Sequence, residues 1–453
     1  MTHHPPTITS WQLIKSLPTL RKDLFRFLLN AREEYGDIYT LSLGLTKIII
    51  LNHPEHVKRV FLSESANYIK GGPMWEGVAN LVGTGLAVSN GEFWRKQRRL
   101  IQPQFHKRRL AALTGLMVAA IDESLAEWDL YAVGKRLFDA EEAFARITLN
   151  VFVKTMFGEG IRPDEVDEVR KAFNFITDYI LRGVVTNQLP AWVPVPGQRR
   201  YQQAVATIDR VLLEIVDQRR EAQDVSGDLM SLLLDAVDEE TGEGMSHEQL
   251  RTEAVTLFLG GYETNTTALM WMLHLLMHHP QILARLYEEV DRALGGRTPT
   301  FADLSSLPYS RMVLQETLRL YPSAWWLMRI AVEDDEIDGY RIPTGSVVAP
   351  LPFIIQRHPD IWPTPEMFDP ERFAQNKVAG RHRQAWIPFG VGQRLCPAQE
   401  FSLMEGQLVL ASILQRYQLR AISETPSATA TSYMRLSGTI KSRAGVLLSI
   451  ALR

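Results

Sequence analysis

A single cysteine sets the first limit on this chain. Cys396 is the only one among 453 residues, so neither an intramolecular disulfide nor a site of several thiolates can form. Its setting is specific. The segment Phe389-Gly390-Val391-Gly392-Gln393-Arg394-Leu395-Cys396-Pro397-Ala398 has two glycines at alternate positions, which suits a tight turn whose backbone comes close to a neighbour. Pro397 is favoured at the first position of a helix, where its missing N–H would be unpaired anyway. Gln399, three residues past Cys396, stands where a capping-box partner belongs. This spacing predicts a helix that opens at Cys396–Pro397. A sulfur at a helix N-terminus sees unpaired N–H groups and the positive end of the dipole, and that setting favours thiolate. A lone cysteine is otherwise a buried core residue, but Phe389, the glycines, Arg394 and Pro397 at fixed offsets weigh against that reading.

A thiolate cradled by amides is what an axial heme-iron ligand needs. The segment resembles the heme-binding loop of the cytochrome P-450 family at every usual position, with Ala398 where that family has glycine or alanine. Further segments resemble the same family. Residues 255–277 read as a long apolar helix holding Gly260-Gly261-Tyr262-Glu263-Thr264-Asn265. Adjacent glycines inside a helix each cost up to about 1 kcal/mol, so something approaches the backbone there, or the helix bends, or another helix packs closely. The segment looks like the family's acid–alcohol pair, with Thr264 to hydrogen-bond oxygen or a water and Glu263 to relay protons. Asn265 departs from the usual second Thr or Ser. Glu316 and Arg319, alone an i,i+3 helical pair, resemble the family's structural Glu-x-x-Arg, with Arg372 in Pro370-Glu371-Arg372-Phe373 as the third member. Trp94 and Arg98 look like the Trp-x-x-x-Arg that reaches a heme propionate. Arg329 and Arg394 are the other propionate candidates, against the plainer reading of surface arginines.

The resemblance runs from about residue 37 to the C-terminus. It implies a mainly α fold with small β-sheets: one compact triangular heme domain over 37–453, preceded by a segment 1–36, with heme between the glycine-bearing helix and the cysteine-loop helix. Periodicity agrees in outline. Residues 37–52 read as two strands around Gly44. Residues 93–290 are helical, interrupted at 158–164 and 189–197. Strand returns at 338–350, helix at 399–417, and a terminal hairpin at 438–452. Residues 424–432 form a polar surface loop. No alternation of strands and helices supports a doubly wound sheet, and no linker divides the chain.

By resemblance the protein is a heme-thiolate monooxygenase with heme b. It inserts one atom of O2 into a hydrophobic substrate (a fatty acid, terpene or polyketide). Its electrons come from a separate ferredoxin or flavodoxin with its reductase, since no glycine-rich flavin or nicotinamide segment is visible. The expected pocket borders are 68–89, 181–196, one face of the glycine-bearing helix and 323–328, with Trp75, Val78, Tyr262, Trp325, Trp326 and Leu327 as candidate lining. The two tryptophans are as readily core. The apolar, Pro-rich loop 189–196 is a packed loop or a lid that touches a membrane. Arg95, Lys96, Arg98, Arg99, Lys107, Arg108 and Arg109 cluster where relatives dock an acidic redox partner, or form a solvated face. His274, His278 and His279 have metal-like spacing but no apparent fourth ligand, and read as a polar helix end.

A net charge of -3 argues against nucleic acid. Without a signal segment or a run of about twenty apolar residues, a cytoplasmic bacterial monomer is expected. Three rival readings remain: a peroxygenase or isomerase indifferent to Thr264, a heme-binding sensor, and a colourless helical binding protein.

Overall fold

The computed structural model describes residues 3–44, 46–134, 137–158, 162–186, 196–222, 227–420, 431, 434–436, 439–442 and 446–453. The expected lid at 189–196 and the polar loop at 424–432 fall mostly outside them. The chain divides into two compact units. Each is assembled from three stretches, and the chain passes between them five times, after residues 72, 314, 396, 425 and 444. No single linker could therefore mark the division in the sequence.

The first unit (Met1–Gly72, Gln315–Cys396, Pro426–Ala444) is built on a sheet. The strands expected around Gly44 are Ile38–Leu43 and Thr46–Leu51, antiparallel, with Thr40 opposite Ile49. Thr46–Leu51 also pairs in parallel with Val347–Pro350. Ile48, Ile49, Ile50 and Leu51 are consequently all buried, as in a strand covered on both faces. The six strands run in the order Thr7–Ile8, Ile38–Leu43, Thr46–Leu51, Val347–Pro350, Arg329–Ala331, Tyr68–Ile69. Leu51, Val57, Val60, Ile342, Val348 and Ile355 lie in the core packed on it.

The second unit (Pro73–Leu314, Pro397–Thr425, Gly445–Arg453) is mainly helical. Its longest helix, His247–His278, starts earlier than the apolar run suggested, because Ser246 and Gln249 form a capping box with bonds of 3.2 and 2.8 Å. It continues unbroken through Gly260 and Gly261. Ala140–Phe157 and Gln198–Ala222 pack along it.

The predicted terminal hairpin is also absent. Ile440–Ser442 pairs with Met434–Leu436, whereas Leu447–Leu452 lies between Tyr417–Arg420 and Phe138–Asp139. Alternation marks a strand but does not name its partner. Among the described residues no helix is long and apolar enough to cross a membrane.

Candidate functional site

In the first unit, the cysteine loop closes on itself through three backbone bonds. Gly390 N donates to Ile387 O (3.0 Å), Leu395 N to Gly392 O (3.0 Å) and Cys396 N to Phe389 O (2.9 Å). Gly390 and Gly392 hold φ of 73° and 67°, a region that favours glycine. A Cβ on Gly392 would also stand 2.5 Å from Phe61 O. The close neighbour demanded by that glycine is thus the 59–63 turn. The helix after the cysteine is Gln399–Arg416 with Ala398 as N-cap and no side-chain cap. It opens later than predicted, and neither Pro397 at its first position nor a capping box with Gln399 is formed. Pro397 and Ala398 form a turn instead.

The Glu316 network lies beside this loop. Arg319 donates to both Glu316 oxygens (2.7 and 2.8 Å), Asp369 N to Glu316 Oε1 (3.0 Å), and Arg372 Nε lies 3.4 Å from the same oxygen. Glu316 and Arg319 are both 0% exposed, not the solvated pair their spacing alone suggests. Arg319 also donates to Gln356 O, Pro365 O and Met367 O. Gln356 was not legible in the sequence. Its amide donates to Leu318 O and Arg319 O and its oxygen accepts from Ile387 N (2.8 Å), linking the triad helix to the root of the cysteine loop.

In the second unit, the two helix glycines differ in role. A Cβ on Gly261 would meet the Phe152 ring at 2.8 Å, whereas one on Gly260 would meet nothing within 4 Å. Gly261 therefore serves helix packing, and only Gly260 leaves backbone open to a ligand. One turn on, Thr264 Oγ1 donates to Gly260 O (2.5 Å), which fixes the hydroxyl one turn beyond that glycine. Glu263 is buried. Asn265 is engaged by Glu405 and Ser402, at 2.5 Å each.

A sequence profile of the cytochrome P450 family, here written P-450, matches residues 5–443. The chain belongs to the cytochrome P-450 family. It is 34% identical over 392 residues to cyclooctat-9-en-7-ol 5-monooxygenase of Streptomyces melanosporofaciens, covering 86% of this chain and 84% of that one. Pentalenene oxygenase of Streptomyces avermitilis is 29% identical over 402 residues, with 88% of each chain covered. The crystal structure of the cytochrome P-450DA heme domain superposes with a TM-score of 0.88 at 27% identity, over 100% of this chain and 98% of that one. The mainly helical fold with small sheets is that of the family, and the protein is a P-450 monooxygenase.

Membership in the P-450 family implies a heme, and the residues present fit one. Arg329 is 5% exposed, over the Phe61 ring at 4.5 Å, and donates to Met328 O. Burial and the nearby charge of Arg394 push it down to about 9. Two guanidinium groups so close favour an anion beside them, as heme propionates would supply. In the second unit Trp94 is buried, and Arg98 is half-buried and donates to Gln102 (2.7 Å).

The remaining expectations divide. Trp325 is core of the first unit, edge-on to Phe25 at 5.7 Å, with half-buried Trp326 stacked on it at 4.5 Å. Leu327 packs against the sheet core. Tyr262 is buried beside Phe258. Trp75 and Val78 are half-buried on the Pro73–Val82 helix. Within the basic run, Lys96 pairs with Glu243 and Arg99 with Asp238 and Glu240. Arg95 pairs with Glu92. Lys107, Arg108 and Arg109 are exposed at the start of the Lys107–Gly134 helix. Among the described residues no group of three or more potential ligands could hold a metal ion. His278 and His279 turn Nδ1 toward His274 O and Leu275 O, at 2.8 and 2.7 Å.

Proposed function

We propose that this P-450 oxygenates a cyclic, terpene-like substrate, taking electrons from a separate ferredoxin or flavodoxin. The observation that carries this reading is the similarity to oxygenases named for cyclooctat-9-en-7-ol and pentalenene, over more than four fifths of either chain. Cys396 would ligate the iron of heme b, and Arg329 and Arg394 would take propionate charge, as would Trp94 and Arg98. Bound there, a thiolate-ligated heme supplies the activation of O2. The chain's own residues do the rest. Gly260 leaves room beside the helix, Thr264 holds a hydroxyl one turn beyond it, and Glu263 supplies a carboxyl one residue away. Asn265 has the second Thr or Ser position, and its bonds to Glu405 and Ser402 fix it in place.

The test is the absorption spectrum of the reduced protein under carbon monoxide. The strongly red-shifted band of a thiolate-ligated carbonyl is expected, and it should vanish in Cys396→Ser. A histidine-like band in the unmodified protein would refute the ligand assignment. Incubation with labelled O2, a surrogate ferredoxin system and polycyclic alkenes should then give singly labelled alcohols. Turnover of fatty acids but no cyclic alkene would refute the substrate class.

A further inference from the structure

Residues 83–90 connect the Pro73–Val82 and Gly91–Ile101 helices without regular structure, yet Gly85 and Leu86 are buried. A buried loop must pair its backbone groups. Here the donor of Leu86 goes to a side chain: its N–H lies 2.9 and 3.1 Å from the two oxygens of Glu253, itself 1% exposed. Val88 N and Ser89 N both donate to Gly85 O (3.0 Å), so the segment is tied into one turn. That turn lies tight on the long helix. A Cβ on Gly85 would collide with Thr256 Oγ1 and stand 3.0 Å from Thr252 Cγ2, and one on Gly83, at φ +63°, would stand 3.3 Å from Thr252 Oγ1.

Glu253 precedes Gly260 by seven residues and Thr264 by eleven. Close to whole helical turns separate all three, so they lie on one stripe of the helix, with Glu253 about 16 Å from Thr264 along its axis. A carboxyl buried with one backbone donor is a poor choice for stability, and burial pushes Glu253 up to about 8. Fixing the loop on the reactive stripe accounts for its presence.

We infer that Glu253 is a positioning residue for substrate selection: it clamps the 83–89 turn onto the helix face that carries Gly260 and Thr264, and so sets the size of molecule admitted along that face. This rests on the reading of 68–89 as a pocket border.

The experiment compares wild type, Glu253→Leu, Glu253→Gln and Gly85→Ala, each accepted only with a full thiolate carbonyl band. Hydrogen exchange of peptides spanning 83–90 should speed up in Glu253→Leu and Gly85→Ala, and stay near wild type in Glu253→Gln, which keeps an acceptor. Unchanged exchange in Glu253→Leu would overturn the clamp. Binding of N-substituted imidazoles of increasing apolar bulk, followed by the heme spectrum, reads admission without any assumed substrate. The ratio of affinities for bulky and small members should move by roughly tenfold in Glu253→Leu, the effect of one buried hydrogen bond. An unmoved ratio would overturn the selective role. A moved ratio in a protein that oxidises no cyclic alkene would defeat the terpene reading alone.

Discussion

Asn265 donates its amide hydrogen to the buried carboxyl of Glu405 at 2.5 Å, and Ser402 donates to Asn265 in turn at 2.5 Å. The residue next to Thr264 is thereby anchored to the Gln399–Arg416 helix. Burial pushes Glu405 from its ordinary 4.5 up to about 8, against a smaller downward pull from Asn265. In the unfolded chain that carboxyl is ionised at neutral pH, while in the folded one it keeps its proton. The folded state therefore binds more protons, and stability falls as pH rises between about 4.5 and about 8. Glu253 acts in the same direction. The melting temperature should drop from about pH 6 to about pH 8.5, and Glu405→Gln should flatten that drop. Equal slopes in the two proteins would exclude Glu405 as a source.

Glu316→Ala should be among the most damaging single changes. It leaves Arg319, buried at 0% exposure, and Arg372 without their carboxylate. Breaking a buried pair this way costs about 3–5 kcal/mol. Poorly folded protein that retains little heme is expected, checked by heme-to-protein ratio and thermal unfolding. A wild-type heme ratio would contradict the structural role.

The helix glycines should respond oppositely to alanine. Gly261→Ala pushes a methyl into Phe152 and should cost about 1–3 kcal/mol. Gly260→Ala meets no atom within 4 Å and should gain up to ~1 kcal/mol in helix propensity, while weakening binding of bulky imidazoles. Denaturant melts of the two variants check the difference. Equal losses would mean that Gly260 is a packing residue as well.

Lys107, Arg108 and Arg109 open a long helix, where positive charge opposes the dipole. Changing them to Glu should stabilise the protein by about 0.3–1 kcal/mol per site. The same triple variant should slow reduction by an acidic ferredoxin at low salt, with the gap closing as salt rises. Reduction rates equal to wild type at low ionic strength would remove this patch from partner docking.

Much of the fold was legible because local signals were strong. The Ile48–Ile50 run and the long apolar helix each state their own structure, whereas the cap expected at Cys396 does not form. The terminal hairpin failed because strand pairing is non-local: Leu447–Leu452 takes partners from far back in the chain. The candidate residues of the site are read from the family resemblance. Residues that act by supporting others were not. Gln356, Glu405 and Glu253 look like ordinary polar positions, and only burial with a specific partner distinguishes them. Gly261 looked like Gly260 because a sequence cannot say which side of a helix faces Phe152.

The interleaving of the two units has a consequence for synthesis. Ile48 pairs with Val347, so the central strand of the sheet waits about 300 residues for its neighbour. Phe138 waits as long for Leu448. At ribosomal speed that delay is roughly 15–60 s, during which an aliphatic strand edge stands uncovered. Neither half can mature first. The nascent polypeptide must be kept from self-association until its final strand emerges, and one cut cannot divide the protein into fragments that fold separately.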